Sequence, residues 1–313
     1  MSKYENMSVD RKRVVVVGAS GRLGSALVGL LQVEHEVTAI GRKQMDIGSA
    51  RSIRDMLSPL DYDYLFLTGA MTGVDYCETH AQEAMAVNAE GPAIIAGISA
   101  NKGAHVTFIS TDMVFDGKKR EPYVESDIPN PISVYGTSKL AGEQEVLAVS
   151  GGNLVLRLSW VFGPDRPAFP EWIIGKGCLE SGLTLPGDKI CCPTFTSDAI
   201  GWIKDLVLGR AAAPASGVFH LCNSEPCSWR EWGQFCIDTA RKSGLPMLAN
   251  VIEGVPLGSV PAFVAKRPVN SAMSTEKFTQ MSGIRPRHWK LAIDEFLKQS
   301  ELFRKYQLFS DPK

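Results

Sequence analysis

Tyr135 and Lys139 stand four residues apart in the run Val134-Tyr135-Gly136-Thr137-Ser138-Lys139-Leu140-Ala141-Gly142-Glu143. Four residues is about one helical turn, so on a helix both side chains share a face. A free tyrosine titrates near about 10 and a free lysine slightly higher, so neither exchanges protons readily at neutral pH. An ammonium held beside the phenol favours phenolate and makes that hydroxyl a usable proton donor or acceptor. The alternative is a surface tyrosine next to a solvated lysine. A second set is Gly18-Ala19-Ser20-Gly21-Arg22-Leu23-Gly24. Its glycines let backbone come close to a pyrophosphate, and a helix starting there presents unpaired N–H groups to the charge. A third is Ser110-Thr111-Asp112, whose hydroxyls could serve a developing alkoxide.

These sets need elements to hold them. Arg13-Val14-Val15-Val16-Val17 is a β-branched run ending at glycine, which reads as a buried strand of a parallel sheet. The glycine turn follows, then an amphipathic segment from Ser25 to Val33 and a second strand, His35 to Ile40. Strand, glycine turn, helix and strand within about 30 residues form the βαβ setting of a dinucleotide site. An NAD-selective site carries an acid after the second strand, whereas this chain has Gly41 followed by Arg42-Lys43. NADP is therefore preferred, with NAD left open and solvated loop charges as the alternative reading of Arg42. Asp46 and Ile47 are candidates to face the adenine. A third strand, Tyr64 to Leu67, ends in Thr68-Gly69-Ala70, small enough for a cofactor to lie across Ala70. Glu83 to Ala100 reads as one helix. A fourth strand from His105 to Ile109 delivers Ser110 and Thr111 to the mouth of the cleft, and a Pro-rich loop, Ile128 to Pro131, precedes Tyr135.

At 313 residues and 44% apolar content the chain can bury a large core, and two domains are expected. Thirty-three basic residues face 34 acidic ones, which favours neither nucleic acid nor an anionic membrane as partner. The seven cysteines include no CxxC, and reduced thiols in a cytoplasmic protein fit them better than disulfides or zinc. The polar start of the chain reads as no signal peptide, and no run is long enough for a membrane helix. Residues 1–165 are expected to form the dinucleotide-binding domain, with Pro164-Asp165-Arg166-Pro167 as the break. Residues 166–313 are then mainly a substrate domain, with about residues 190–224 returning to the sheet. His220 is expected to be a structural strand histidine, and no His, Asp or Glu cluster has metal-ligand spacing.

Together the glycine turn, the Ser110-Thr111-Asp112 strand end and Tyr135-x-x-x-Lys139 resemble the extended short-chain dehydrogenase/reductase family. The resemblance extends to the sugar-nucleotide reductases of that family through Val74-Asp75-x-x-Glu78, Val87-Asn88, Arg157 to Gly163, Pro193-Thr194 with Asp198, Gly217 to Leu221, and Arg267-Pro268-x-Asn270-Ser271. It implies a doubly wound Rossmann-type α/β fold with a smaller C-terminal substrate domain, and NADPH-dependent reduction of the 4-keto group of a nucleotide-linked deoxysugar. By the same resemblance Tyr135 is the general acid, Lys139 holds the nicotinamide ribose and lowers the tyrosine pKa, and Thr111 polarises the sugar oxygen. Met71, Thr72, Val74, Thr111, Asp112, Met113, Trp160 and Arg267 are expected beside the substrate, Arg267 as a phosphate partner. A homodimer is the candidate assembly, and a divalent metal is left open. Two positions depart from the family. Met113 stands where tyrosine is usual, and Met71 where an aromatic or histidine is usual. Methionine cannot do acid–base work, which argues against the dehydratases that carry glutamate at position 113. The two methionines keep alternatives in view: a reductase or epimerase of another nucleotide sugar, or a non-catalytic NADP-binding subunit similar to the regulatory β subunit of methionine adenosyltransferase.

Overall fold

A computed structural model describes residues 11–164, 166–209 and 213–299. The expected break at Asp165 itself lies outside the described residues, as do residues 1–10 of the polar N-terminus. Five strands, β1 (Arg13–Val17), β2 (Glu36–Ile40), β3 (Tyr64–Leu67), β4 (His105–Thr111) and β5 (Leu154–Leu158), join the later strand Gly217–Leu221 in one six-stranded parallel sheet. The order is Gly217–Leu221, β5, β4, β3, β1, β2. Alternation along β1 shows why the valine run is needed. Val14 and Val16 pack into one core with Leu27, Leu31, Trp202 and Ile203, and Val15 and Val17 pack into another with Ile53, Leu57, Ile95 and Val106. A strand covered on both faces has no polar side, so the run is apolar at every pleat.

Helices cover the two faces. α1 (Arg22–Leu31), α2 (Ala50–Leu57), α3 (Val74–Thr79), α4 (Ala81–Met85), α5 (Gly91–Asn101) and α6 (Val134–Val149) occupy the first half; α7 (Phe169–Leu179), α8 (Thr196–Leu208), α9 (Trp229–Lys242), α10 (Glu276–Ser282) and α11 (Trp289–Gln299) follow. Helix α1 begins at Arg22, three residues before the expected start. The single helix expected from Glu83 to Ala100 is instead broken by a π turn, Ala86–Glu90. Pro92 in the first turn of α5 has no N–H for the preceding carbonyls, and the wider turn absorbs the mismatch. Its product is a fully buried Asn88, aimed at the site.

The strand Gly217–Leu221 pairs in parallel with β5, and α8 packs onto the β1 side of the sheet. A separate core lies beyond it. Phe162, Phe195, Trp232 and Phe296 gather there with α7, α9 and α11. Ile190–Cys191, within the expected return segment, pairs antiparallel with Cys227–Ser228, and Leu183–Pro186 pairs in parallel with Ile252–Val255. All seven cysteines are free thiols, and no helix among the described residues is long and apolar enough to cross a membrane. Within the sheet, β1 lies between β2 and β3, so the chain reverses direction of winding there and leaves a crevice at the carboxyl ends of β1, β3 and β4.

Candidate active site

That crevice opens into a cleft of 1520 Å³. Its first end is made of backbone. Gly18 adopts φ 87°, and a Cβ there would collide with the backbone of Gly69. Only glycine lets β1 and β3 close on each other at this point. Gly21 caps α1 without a side-chain acceptor, and no acid occupies the first turn, so the start of the helix turns the positive end of its dipole and its first-turn backbone to the cleft that Gly21, Arg22 and Leu23 line. This is the donor set a pyrophosphate requires, and Ser20, Gly41, Arg42, Asp46, Ile47 and Ala70 line the same wall. Two expected cofactor residues act differently. Gly24 does not line the cleft; it packs against the Gly18 carbonyl and Thr68, bringing α1 close to the sheet. The Arg22 guanidinium donates to the carbonyls of Val161 and Pro167 at 2.8 Å each, so it ties the turn to the far wall while its backbone N–H stays at the helix start.

The second end is made of side chains. Ser133 caps α6 by accepting the Gly136 N–H at 3.2 Å, which starts the helix one residue before Tyr135. A Cβ at Gly142 would strike the Asn88 carbonyl, so this glycine lets α6 lie against the π turn. Asn88 accepts the Met71 N–H at 2.9 Å and donates to the Met71 carbonyl and the Ser138 hydroxyl at 3.0 Å each, fixing the floor beside Tyr135. Tyr135 is 8% exposed, and it lines the cleft beside Thr111. The structure differs here from the expectation that Lys139 lowers the tyrosine pKa. Burial pushes the Tyr135 phenol well up, with the Thr111 hydroxyl opposing. Lys139 does not line the cleft; it donates to the Ile109 carbonyl at 2.7 Å and sits 3.9 Å over the Phe108 ring. A lysine four residues along shares the face but has four bonds of reach, and here it reaches under β4. Burial brings its pKa down to about 7, with Glu143 opposing.

Beneath them Glu143 accepts from Ser110 at 2.5 Å and from Arg157 at 2.6 Å, a pair only 3% exposed on either side. His220 lies against Arg157 and is fully buried, and burial first, then the Arg157 charge, pulls its pKa down to about 3. It is a neutral strand histidine.

The residues expected beside a substrate, Met71, Thr72, Val74, Thr111, Asp112, Met113, Trp160 and Arg267, all line the cleft. Met113 packs on Tyr135, Cys77 and Ala84, which makes it core and wall at once. Trp160 holds φ 45°, a strained value for a bulky residue, and its ring stands edge-on to Trp229 at 4.6 Å. Arg267 is already paired. It meets Asp75 at 2.6 Å and stacks on Phe263 at 3.9 Å, while Asp75 also accepts the N–H groups of Val264 and Ala265 at 2.9 Å each. The Arg267 guanidinium and these bonds hold the Asp75 carboxyl below its ordinary range.

Comparison with known proteins places this arrangement. Residues 12–302 match the model of the RmlD substrate binding domain. The chain belongs to that family. It is 33% identical over 288 residues to the spore coat polysaccharide biosynthesis protein SpsK of Bacillus subtilis, covering 92% of this chain and 97% of that one. It is 30% identical to a dTDP-4-dehydrorhamnose reductase of Sinorhizobium fredii, covering 89% and 94%. Among solved structures, the dTDP-4-dehydrorhamnose reductase of Bacillus anthracis in complex with NADP superposes with a TM-score of 0.84 at 27% identity, over 92% of this chain and 99% of that one.

In and around the RmlD-type cleft stand residues to which the sequence alone assigned no role. Asn88 and Asp75 fell within matched stretches without a role. Lys189 lines the cleft from a loop whose spacing carries no periodic signal, and Trp229 lines it from the first residue of α9. Among the described residues no cluster of three or more His, Cys, Asp or Glu could hold a metal.

Proposed function

We propose that this protein reduces the 4-keto group of a nucleotide-linked deoxysugar with NADPH, as a dTDP-4-dehydrorhamnose reductase. The observation that carries the reading is that Thr111 and Tyr135 line one cleft with the start of α1, where Gly21 caps the helix without a side chain. The backbone of Gly18, Ser20, Gly21 and Leu23 would hold the pyrophosphate, Arg42 the 2′-phosphate, and Asp46, Ile47 and Ala70 the adenine side. When bound, NADPH supplies the hydride. Tyr135 supplies the proton. A buried phenol stays protonated at neutral pH, and it yields its proton when a stronger base, the alkoxide, develops beside it. Thr111 offers a second donor to the same oxygen, which is worth more in a dry cleft than in water. The family resemblance gives Lys139 the nicotinamide ribose; in the structure its amine anchors Ile109 beneath the two donors. Met71, Thr72, Val74, Met113 and Trp160 would enclose the sugar, and Arg267 would reach its phosphate. The regulatory-subunit alternative has only the two methionines behind it, and the intact Thr111–Tyr135 pair runs against it. A cytoplasmic homodimer is part of the same reading.

Purified protein should oxidise NADPH only when a dTDP-linked 4-keto-6-deoxysugar is added. Tyr135→Phe should lower kcat by about 100-fold or more, the usual worth of a positioned acid. Absence of turnover on a panel of nucleotide-linked ketones, or full activity in Tyr135→Phe, would sink the reading.

A further inference from the structure

Lys189 has no part in the reading above. It lies in the loop between Leu183–Pro186 and Ile190–Cys191, is 1% exposed, and lines the cleft with Asp112 and Arg267. A buried cationic group is costly unless paired, so its partners identify its role. Lys189 Nζ donates to Ser271 Oγ at 2.6 Å and to the Ile190 carbonyl at 3.2 Å. Ser271 Oγ stands 2.5 Å from Asp112 Oδ2 and 3.3 Å from the same Ile190 carbonyl. Asp112 Oδ2 also accepts from Ser159 at 2.8 Å, and Oδ1 accepts from Thr111 at 3.1 Å.

The chemistry of these groups gives the chain a direction. An ammonium only donates, so Ser271 accepts from Lys189 and has one hydrogen left to give. Lys189 already serves the Ile190 carbonyl, so that hydrogen goes to Asp112. Burial lowers the Lys189 pKa while Asp112 raises it, yet even a neutral amine keeps two N–H donors, enough for both bonds. Asp112 Oδ2 therefore holds two short hydroxyl bonds, and its pull on Thr111 through Oδ1 is the longest of the three. The Thr111 oxygen meanwhile accepts the Met113 N–H at 3.2 Å. Its single hydrogen is the least firmly held in the chain.

We infer that Lys189 is a positioning residue, which acts through Ser271 and Asp112 to leave the Thr111 hydroxyl free to donate to the oxygen being reduced. The inference rests on the carbonyl reduction proposed above. Without Lys189, Ser271 can turn its hydrogen to the Ile190 carbonyl, and Asp112 then draws the Thr111 hydrogen to itself.

The test compares Lys189→Met, which removes the donor, with Lys189→Gln, which keeps one at similar length. Kinetics with NADPH and the ketosugar are paired with the ¹³Cζ resonance of Tyr135, whose phenol feels the Thr111 hydroxyl and so reports a change in its direction without turnover. Lys189→Met should lose about tenfold in kcat, the worth of one weakened charge-linked hydrogen bond, with KM for NADPH unchanged. Lys189→Gln should recover most of that loss, and the Tyr135 resonance should move in the methionine variant and return in the glutamine one. Wild-type kcat and an unmoved resonance in Lys189→Met would overturn the inference, as would equal losses in both variants accompanied by a lowered Tm. If the wild type reduces no ketosugar, the proposed function fails, and the resonance alone decides: displaced and restored upholds the Lys189 chain, unmoved overturns it.

Discussion

At one end the cleft is lined by the backbone of a single turn, Gly18 to Leu23; at the other it is lined by side chains of Thr111, Tyr135, Asp112 and Arg267, brought from separate elements. The first end is preorganised by the chain's own path, because a glycine turn entering a helix cannot place its N–H groups elsewhere. The second is held only by what its side chains touch. Ser110, Glu143 and Arg157 brace it from below, Asn88 from the side, and the Asp75–Arg267 pair from above. Changes at the two ends should therefore fail differently. Losses at the backbone end fall on cofactor affinity, and losses at the side-chain end fall on stability, on kcat and, at the Asp75–Arg267 pair, on affinity for the nucleotide sugar.

The sharpest way to break that contrast is Arg157→Met, which strands the buried Glu143 carboxylate. It should cost about 3–5 kcal/mol of stability, read as the denaturant midpoint, and lower kcat with it. A variant with wild-type stability would mean that the brace carries nothing.

His220 gives the same end a pH signature. Unfolded, it gains its proton near its ordinary value of 6.5; folded, it resists until about 3. Between those values the unfolded chain binds the extra proton, so stability is lost as pH falls from 6.5 toward 3, on the order of 1.4 kcal/mol per pH unit. Thermal melts across this window should show a shallower acid loss in His220→Gln than in the wild type.

At the backbone end the expected effects are smaller and confined to binding. Arg42→Ala should raise KM for NADPH about tenfold and leave that for NADH unchanged, since only the 2′-phosphate loses a charged partner. An equal rise for both cofactors would place Arg42 away from that phosphate. Smallest is Asp75→Asn. The Asp75–Arg267 pair is partly exposed, with side chains 36% and 11% accessible, so its removal should shift KM for the nucleotide sugar only about two- to threefold and leave kcat alone.

The same contrast explains what could be read from the residues alone. Val14 to Val17 and Gly18 to Gly24 are contiguous, and each residue's role follows from its neighbours in sequence. Thr111 and Tyr135 were legible because a strand end and a helix start are local features that the sheet brings together. Asp75 and Arg267 lie 192 residues apart, and Lys189 and Ser271 82 apart; Asp75 lies in the first turn of the short helix α3 and the other three lie in loops, so no periodicity marks a partner. The break at Ala86–Glu90 had a local cause, Gly91-Pro92, but its consequence, a buried Asn88 holding Met71, depended on α6. Lys139 shows the limit most clearly. Spacing placed it on the face of Tyr135, while the direction of its amine was decided by the carbonyl of Ile109 on another element.

Carbonyl reduction by hydride is tested most directly by following the label. With NADPH carrying deuterium at both C4 positions and a dTDP-linked 4-keto-6-deoxysugar, the product sugar should carry one deuterium at its C4, detected by NMR, and Tyr135→Phe should form it at a small fraction of the wild-type rate. Product without deuterium at that carbon, or deuterated product formed at full rate by Tyr135→Phe, would contradict the account.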